Sequence, residues 1–478
     1  MKINSQIFRN YDIRGKVDEE LNETNVRAIG QAYATLLQEK GISEEIPVGC
    51  DCRLSSPSFK KAFIEGMNKA GLDVVDIGTV MTQMVYFAQY HYKSRGGAMI
   101  TASHNPKNYN GFKLGIDFSL TTGPEEVQRI RQIVEEDTYI KSEKKGEVRE
   151  DNIKEAYIKD VLERVKLEKK YKIVADSHHG TTGYYNPEIF RRAGCEVVEI
   201  LTNPDGNFPA GTPDPTDAKV MENLAKAVLS NKADLGLTFD GDGDRMGLAD
   251  EKGHVLWNDV AIAIFSEEIL ERKPGSKIVY NTLCSQVVPR VIEQDGGIPI
   301  IWKTGHTFIK AKIAESGAAF GGELSGHFFF KDNAYGYDDG TYASLRILQY
   351  LGKKNLTLSQ MYASFPQFIS SPEIKIGCPD EKKIAVIKDL SPKFKSDFPE
   401  AKITDDTVIP GDDGVRADLP DGAIVVRASQ NGPYITVKFE AQDKETYEKR
   451  RLYVRDLLKS YPDMIWADEL CVNLEVLQ

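Results

Sequence analysis

Long apolar stretches and an excess of positive charge are both missing from this sequence. In 478 residues, no apolar run approaches the roughly 20 residues that a membrane-spanning helix needs. The first residues, MKINSQIFRNYDIRG, contain a lysine but no apolar core after it, unlike a secretory signal. The net charge of −11 argues against a general nucleic-acid binder, which would carry a basic face. We therefore expect a cytoplasmic protein that binds neither membranes nor nucleic acid.

Cysteine is sparse, and only Cys50 and Cys52 of the six cysteines lie close together. A C-x-C pair without a second pair does not complete a zinc site. We interpret both residues as packing residues at the end of a strand, because buried free cysteines are common. The G-x-S-x-G motif of serine hydrolases is also absent.

Strand and helix patterns alternate through most of the chain, and the alternation occurs in three rounds. The strands IPVGCD, YKIVADS and KIVYNT each end in a small polar loop that a helix follows. We interpret this pattern as a weak internal repeat of α/β units, with parallel or mixed sheets covered by helices. Ligands of such sheets gather at the loops beyond the carboxyl ends of the strands.

The length predicts three or four domains, since one domain usually has roughly 100–200 residues. The last hundred or so residues change character and predict an α+β unit. We place the domains at residues 1–150, 151–255, 256–368 and 369–478. Because no low-complexity linker separates them, we expect them to pack around a shared cleft.

The motif TASHNP, from Thr101 to Pro106, follows the strand GGAMI. A serine between small residues at a strand end can expose its hydroxyl where backbone N–H groups gather, which suits a nucleophile or a phosphate. His104 invites a serine-hydrolase interpretation, but adjacent residues rarely align a hydroxyl with an imidazole. Taken by itself, the motif could also be a turn before Pro106.

The motif DGDGDR, from Asp240 to Arg245, follows the apolar strand DLGLTF. Three alternate carboxylates, separated by glycines that permit tight turning, can converge on one hard divalent cation. Arg245 beside them can bind an oxyanion. A calcium EF-hand is disfavoured, because its sixth position requires glycine and is Arg245 here. Repulsion among the carboxylates requires a compensating cation, and we expect magnesium.

The motif GGELSGH, from Gly321 to His327, lies between two strand-like stretches. Glu323, Ser325 and His327 alternate, so an extended segment would point all three side chains the same way. A carboxylate, a hydroxyl and an imidazole on one side suit the hydroxyls of a sugar. The alternative is an exposed polar edge strand.

The motif RASQNGP, from Arg427 to Pro433, lies between two apolar strands of the last domain. Its arginine, serine, asparagine and glycine can surround a phosphate, although Asn-Gly is also a strong hairpin signal. Other groups could support a phosphate site or be solvated surface charges; they are Arg14, Arg53, Lys113, Lys303 and His306.

These motifs, in this order, resemble the α-D-phosphohexomutase superfamily, in particular its phosphomannomutase/phosphoglucomutase branch. The resemblance covers the whole chain through YDIRG, TASHNP, NGFKLG, NPDGNFPAGTPDP, DGDGDR, GELSGH, YGYDDG and RASQNGP. It implies four domains around a central cleft, of which three are similar α/β units and the last is α+β. The last loop departs from the RASNTQP or RPSGTEP that is usual in the family.

Residue roles follow from the resemblance motif by motif. Ser103 is implied to be a phosphoserine that holds Mg²⁺ together with Asp240, Asp242 and Asp244. Catalytic or electrostatic roles are implied for Arg14, Lys113 and His327. Contacts with the substrate are implied for Arg245, Lys303, His306, Glu323, Ser325, His327, Arg427, Ser429 and Asn431.

The implied activity is the reversible interconversion of hexose 1-phosphate and hexose 6-phosphate, with mannose, glucose or both as the sugar. It proceeds by way of the phosphoserine and a hexose 1,6-bisphosphate, which also serves as activator. We expect a monomer or homodimer. The alternatives are a phosphatase, a non-catalytic sugar-phosphate binding protein, and a phosphoglucosamine mutase, although that branch more often has a GEQSGH-like loop.

Overall fold

The computed structural model of the protein describes residues 3–430, 432–467 and 471–478, and its strands form four sheets. The elements around the first sheet are β1 (Ile13–Lys16), α1 (Glu23–Glu39), β2 (Ile46–Cys50), α2 (Ser56–Lys69), β3 (Val74–Thr79), α3 (Thr82–Tyr92), β4 (Gly97–Ile100), β5 (Tyr109–Asp117), β6 (Leu120–Thr121), α4 (Pro124–Glu136) and β7 (Val148–Glu150). Those of the second are α5 (Lys154–Arg164), β8 (Lys172–Asp176), α6 (Asn186–Arg192), β9 (Glu196–Ile200), α7 (Ala218–Asn231), β10 (Leu235–Phe239), β11 (Met246–Asp250) and β12 (Val255–Leu256).

The remaining elements build the third and fourth sheets. Those of the third are α8 (Asn258–Arg272), β13 (Lys277–Asn281), α9 (Val287–Gln294), β14 (Ile298–Trp302), α10 (His306–Ser316), β15 (Phe320–Gly322), β16 (Phe328–Phe330), α11 (Gly340–Lys354) and α12 (Leu358–Ala363). Those of the fourth are β17 (Ile369–Ser370), β18 (Ile374–Gly377), α13 (Asp380–Asp397), β19 (Lys402–Thr404), β20 (Gly414–Leu419), β21 (Gly422–Ala428), β22 (Tyr434–Ala441) and α14 (Lys444–Lys459).

The first three sheets share one strand topology, which confirms the predicted internal repeat. In each, the first strand of the repeat (β2, β8 or β13) lies between two parallel neighbours. The second of these neighbours then pairs with an antiparallel fourth strand, which is β5, β11 or β16. The pairs of the fourth sheet are all antiparallel, as expected for the α+β unit.

Local sequence signals explain where several of these elements begin. The side chains of Asp217 and Asp339 accept hydrogen bonds from backbone N–H groups in the first turns of α7 and α11. Prolines occupy the first turns of α2 and α6, where a missing N–H costs no hydrogen bond. Strand β10 is buried along its whole length, which explains its continuous apolar pattern.

The hydrophobic core is divided among the sheets. One cluster lies within the first sheet and its helices, and the largest runs through the second and third and reaches α3. The fourth sheet packs with α13 and α14 around a core of its own, and Val425 is its one member of the largest cluster among the described residues. Buried ion pairs, such as Lys438 with Asp259, join the fourth sheet to the others. Within the described residues, no helix is both long and apolar enough to cross a bilayer.

Candidate active site

Three loops that are equivalent in the repeat meet at one place. Each follows the third parallel strand of its sheet and leads into the antiparallel strand: residues 101–108 after β4, 240–245 after β10 and 323–327 after β15. They hold the TASHNP, DGDGDR and GELSGH motifs. The convergence agrees with the expectation that ligand-binding residues lie beyond the carboxyl ends of the strands.

Ser103 joins the first of these loops to the second. Its side chain is fully buried, and its Oγ donates a hydrogen bond to Oδ2 of Asp240 over 2.6 Å. Oγ also lies 3.2 Å from Nδ1 of His104. The backbone φ of Ser103 is +50°, a left-handed conformation that costs a residue with a Cβ about 1–2 kcal/mol. The surrounding structure must therefore hold this serine in place.

Arg53 holds the serine loop from behind. Its guanidinium donates hydrogen bonds to the backbone carbonyls of Ser103 at 2.7 Å, Asn105 at 2.6 Å, Pro106 at 2.8 Å and Tyr109 at 3.1 Å. The side chain is buried, so these bonds are shielded from competing water. From the sequence, Arg53 could be either part of a phosphate site or a solvated surface charge. In the structure it is buried and binds the backbone of the loop that contains Ser103.

The three aspartates of DGDGDR form a compact, fully buried cluster. One carboxylate oxygen from each of Asp240, Asp242 and Asp244 lies within 4.8 Å of the other two. Oδ1 of Asp242 and Oδ1 of Asp244 have no hydrogen-bond partner among the described residues. Buried carboxylate oxygens without partners are costly, and their grouping is one that a divalent cation would satisfy.

Lys113 supplies positive charge to this cluster. Its Nζ lies 2.9 Å from Oδ2 of Asp242 and also contacts Asp244. Burial disfavours the charged amine, but the two carboxylates outweigh that effect and raise the pKa of Lys113. Burial and the charges of Asp242 and Asp244 raise the pKa of Asp240 well above its usual value. Gathering three buried carboxylates around one lysine therefore opposes the ionisation of Asp240, and an added cation would remove that opposition.

His327 connects the second loop to the third. Nε of Arg245 lies 2.9 Å from Nε2 of His327. Because a guanidinium can only donate, Nε2 is the acceptor and the proton of a neutral ring lies on Nδ1. Nδ1 lies 2.7 Å from Oδ2 of Asp338, so this carboxylate packs against the ring, whose orientation is fixed by the hydrogen bond from Arg245. Asp338 belongs to the motif YGYDDG and was not predicted as a site residue.

Arg14 and His306 meet at Asp12 on the other side of the serine loop. Arg14 donates hydrogen bonds to Oδ2 of Asp12 over 2.8 Å and to Oδ1 of Asn105 over 3.2 Å. Burial opposes ionisation of Asp12, but Arg14 reverses that effect and keeps its pKa below the usual range. Burial and the nearby Lys310 lower the pKa of His306 to about 4, so the ring is neutral at pH 7.

A cavity opens beside these loops. The predicted residues that line it are Arg245, His306, Glu323, Ser325, His327, Arg427 and Ser429. Oε1 of Glu323 accepts a hydrogen bond from the N–H of Gly305, which orients the carboxylate. The cavity is therefore lined with hydrogen-bonding groups of both kinds, as a polar, anionic ligand requires.

The predicted extended form of GGELSGH is wrong. Residues 323–327 make the tight turn between β15 and β16, with the N–H of Gly326 bonded to the carbonyl of Glu323. Gly326 has a φ of +99°, which glycine adopts without strain and which lets the chain turn back towards β16. Glu323, Ser325 and His327 still reach one cavity, because a tight turn places its side chains around a single opening.

Among the described residues, one predicted substrate contact is not brought into this cavity. Lys303 does not line it: its Nζ lies 4.4 Å from the centre of the Phe308 ring and bonds to the carbonyl of Pro410. Asn431 lies outside the described residues. Arg427 lines the cavity and is held by Asp413, whose two oxygens accept from Nε and Nη2 over 3.1 and 2.8 Å.

Sequence reasoning also missed cavity residues. Glu373, Lys375 and Tyr434 line the cavity from the fourth sheet. The signal for Lys375 is a lysine within the apolar strand EIKIGCP, where a buried charge requires a partner. Glu373 and Tyr434 carry no comparable signal.

Known proteins match the chain along its length. Four family models, one for each domain of phosphoglucomutase/phosphomannomutase, match this chain. Alpha/beta/alpha domain I matches residues 5–141, alpha/beta/alpha domain II matches 155–253, alpha/beta/alpha domain III matches 257–368, and the C-terminal domain matches 373–457. A phosphomannomutase/phosphoglucomutase of Pseudomonas syringae pv. tomato is 36% identical over 96% of both chains. A phosphoglucomutase of Neisseria gonorrhoeae is 36% identical over 97% of this chain and 99% of its own. The crystal structure of a phosphoglucomutase/phosphomannomutase family protein from Burkholderia thailandensis has a TM-score of 0.85 at 32% identity, covering 96% of this chain and 98% of that one.

Proposed function

The chain belongs to the phosphoglucomutase/phosphomannomutase family, and we propose that it interconverts hexose 1-phosphates and hexose 6-phosphates through a phosphorylated Ser103. This activity makes it an isomerase that transfers a phosphoryl group within one substrate. The observation that carries the proposal is the buried Ser103 hydroxyl, 2.6 Å from Asp240, next in the chain to His104, which lines the cavity together with Arg245 and Arg427.

Magnesium is the cofactor of the proposed reaction. Asp240, Asp242 and Asp244 would hold the ion together with a phosphoryl oxygen on Ser103, which the unpartnered oxygens of Asp242 and Asp244 support. Bound magnesium would supply positive charge that neutralises the transferred phosphoryl group.

Phosphoryl transfer depends mainly on alignment and charge neutralisation. In the dephosphorylated enzyme, Asp240 accepts the hydrogen bond of the Ser103 hydroxyl and is placed to take its proton as Oγ attacks a sugar bisphosphate. The new bond joins Oγ to phosphorus while the bond from phosphorus to the sugar oxygen breaks, and that oxygen takes up one proton to become the sugar hydroxyl, which balances the proton lost by Ser103. Lys113 and Arg245 supply positive charge nearby. Arg14 positions the serine loop, and His327 faces the sugar with a fixed ring.

One phosphate site must hold either end of the sugar while the other end reacts. We assign this role to Arg427 and Ser429, with Asn431 of the same loop, and assign the sugar hydroxyls to Glu323, Ser325 and His306. The hexose 1,6-bisphosphate turns over within the cleft between the two transfers and serves as activator. Closure of the fourth domain over the substrate belongs to the same proposal, supported by its separate core.

The remaining parts of the proposal concern the whole molecule. The domains are bounded near residues 150, 255 and 368. The protein is a cytoplasmic monomer or homodimer whose partners are hexose phosphates, and it does not bind nucleic acid. The substrate is mannose phosphate, glucose phosphate or both, because no motif in the chain distinguishes the two sugars at the 2-hydroxyl.

A coupled assay tests the function. Mannose 1-phosphate, glucose 1-phosphate and glucosamine 1-phosphate are compared with magnesium and a trace of glucose 1,6-bisphosphate, and the Ser103→Ala variant is the control. We expect conversion of the first one or two sugars and loss of conversion in the variant. Conversion of glucosamine 1-phosphate alone would favour the phosphoglucosamine alternative. Steady release of inorganic phosphate would favour a phosphatase, and no conversion would favour a binding protein.

A further inference from the structure

Lys375 is a buried cation in the wall of the substrate cavity, in a position that none of the sequence motifs includes. It lies on β18 and is 5% exposed. It lines the cavity together with Arg245 and Arg427. A lysine is rarely buried without a function or a partner.

The partner of Lys375 lies in a loop between β9 and α7, which belong to the second sheet and its helices. The Nζ of Lys375 lies 2.9 Å from Oδ2 of Asp214, in the loop before α7, and 3.5 Å from Oγ1 of Thr216. Thr216 in turn holds Asp214, since its N–H and hydroxyl bond to Oδ1 over 3.0 and 2.7 Å. Asp214 belongs to the motif NPDGNFPAGTPDP, to which the proposed mechanism assigns no role.

The backbone at Lys375 is fixed to the same loop. Its N–H and carbonyl pair with Val472 of the carboxyl-terminal segment over 3.0 and 3.2 Å. The neighbouring Asn473 donates to the carbonyls of Thr216 and Glu373 over 3.0 and 2.7 Å. The position of the amine at the cavity wall is therefore determined by contacts on both sides of the junction between the second and fourth sheets.

The amine keeps capacity for a ligand. An ammonium group has three N–H donors, and the two contacts described for Nζ use at most two of them. Burial favours the neutral amine, but Asp214 outweighs that effect and raises the pKa of Lys375, so the group is charged at pH 7. The other two cations of the wall also have partners and spare donors, Arg427 with Asp413 and Arg245 with His327, so all three can face one anionic ligand.

We propose that Lys375 binds a phosphoryl oxygen of the hexose phosphate and that Asp214 holds its amine at the cavity wall. This inference rests on the proposed mutase function. Lys375 also lines a second opening of the cleft, beside His104 and Tyr434. It therefore lies between the residue next to Ser103 and the loop that contains Arg427, where it can contact a bisphosphate during its turn.

The test compares pairs of substitutions, since removal of the lysine alone would leave Asp214 buried without a partner. The double variant Lys375→Gln/Asp214→Asn is compared with Asp214→Asn. In the double variant we expect two values to be about tenfold or more above those of Asp214→Asn. They are KM for glucose 1-phosphate and the concentration of glucose 1,6-bisphosphate needed for activation. This is the effect of losing a hydrogen bond to a charged group. The variant Lys375→Arg should keep both within about threefold of the wild type, because it keeps the charge.

The matched control is a second buried lysine–aspartate pair at the border of the fourth sheet. Lys438 and Asp259 join β22 to α8 and do not line the cavity. If Lys375 only docks the fourth domain, Lys438→Gln/Asp259→Asn would raise KM equally, and the inference would be wrong. Unchanged KM in Lys375→Gln/Asp214→Asn would also overturn it, while an inactive wild-type protein would instead contradict the proposed function.

Discussion

Replacing Arg53 with lysine should slow phosphoryl transfer at Ser103 without weakening sugar binding. The guanidinium of Arg53 spans four backbone carbonyls of the serine loop, those of Ser103, Asn105, Pro106 and Tyr109. A lysine presents its donors from one point and cannot reach all of these carbonyls. At least two hydrogen bonds to a charged donor are lost, and such bonds contribute about 1.5–3 kcal/mol each.

The loss acts on a strained residue. Ser103 has a φ of +50°, and relaxation of this left-handed backbone would release about 1–2 kcal/mol. If the loss of these hydrogen bonds raises the activation free energy of phosphoryl transfer by about 3 kcal/mol, the transfer rate falls roughly 100-fold. KM for the sugar phosphate should change much less, because Arg53 does not line the cavity.

Rapid-quench measurement with labelled glucose 1,6-bisphosphate separates transfer from binding. The labelled phosphoryl group on Ser103 is followed in wild type, Arg53→Lys and the control Arg131→Lys, whose surface arginine pairs with Glu135 on α4. Thermal unfolding establishes that each variant is folded. A wild-type transfer rate in folded Arg53→Lys, or a rise in KM alone, would refute the reasoning.

Three further predictions concern the metal, pH and the sugar loop. Asp242→Asn should lower magnesium affinity at least tenfold by calorimetric titration, whereas the exposed Asp137→Asn should not; equal affinities would exclude Asp242 as a ligand. Because the pKa of His306 is lowered to about 4, the unfolded chain binds the additional proton below pH 6.5. Stability should therefore decline from pH 6.5 towards pH 4, by an amount on the order of 3 kcal/mol from this group. His306→Asn should flatten that part of the curve of unfolding free energy against pH, and an unchanged slope would contradict the assignment. Gly326→Ala would place a Cβ 2.5 Å from the carbonyl oxygen of Met246, so it should lower the melting temperature and raise KM; a variant equal to wild type in both would show that the turn is not constrained.

Much of the fold could be predicted because its signals are local. Apolar strands followed by polar loops identified β2, β8 and β13 and placed the TASHNP and DGDGDR motifs at strand ends. The rule that ligands gather at the carboxyl ends of strands marked both loops as ligand sites, and the resemblance to the phosphohexomutases implied that Ser103 and Asp240 meet. The alternation in GELSGH predicted an extended segment, but these residues form a turn in which Gly326 has a left-handed conformation.

The rest of the site depends on contacts between distant segments. Asp338 packs against His327, and Lys375 meets Asp214 across 161 positions of the chain. No spacing in the sequence reveals such partners, because each is a single charged residue whose role is set by the packing of separate domains. Lys303 shows the opposite case, since it neighbours a motif but lies against the ring of Phe308, outside the cavity wall.

The central claim is that Ser103 carries the phosphoryl group between the two ends of the sugar. The most direct test is intact-protein mass spectrometry after incubation with magnesium and glucose 1,6-bisphosphate, followed by peptide mapping. We predict one added phosphoryl group on Ser103, its disappearance when glucose 1-phosphate is supplied in excess and bisphosphate forms, and no addition in Ser103→Ala. An active wild-type enzyme that carries no phosphoryl group on Ser103, or an active Ser103→Ala variant, would contradict the mechanism.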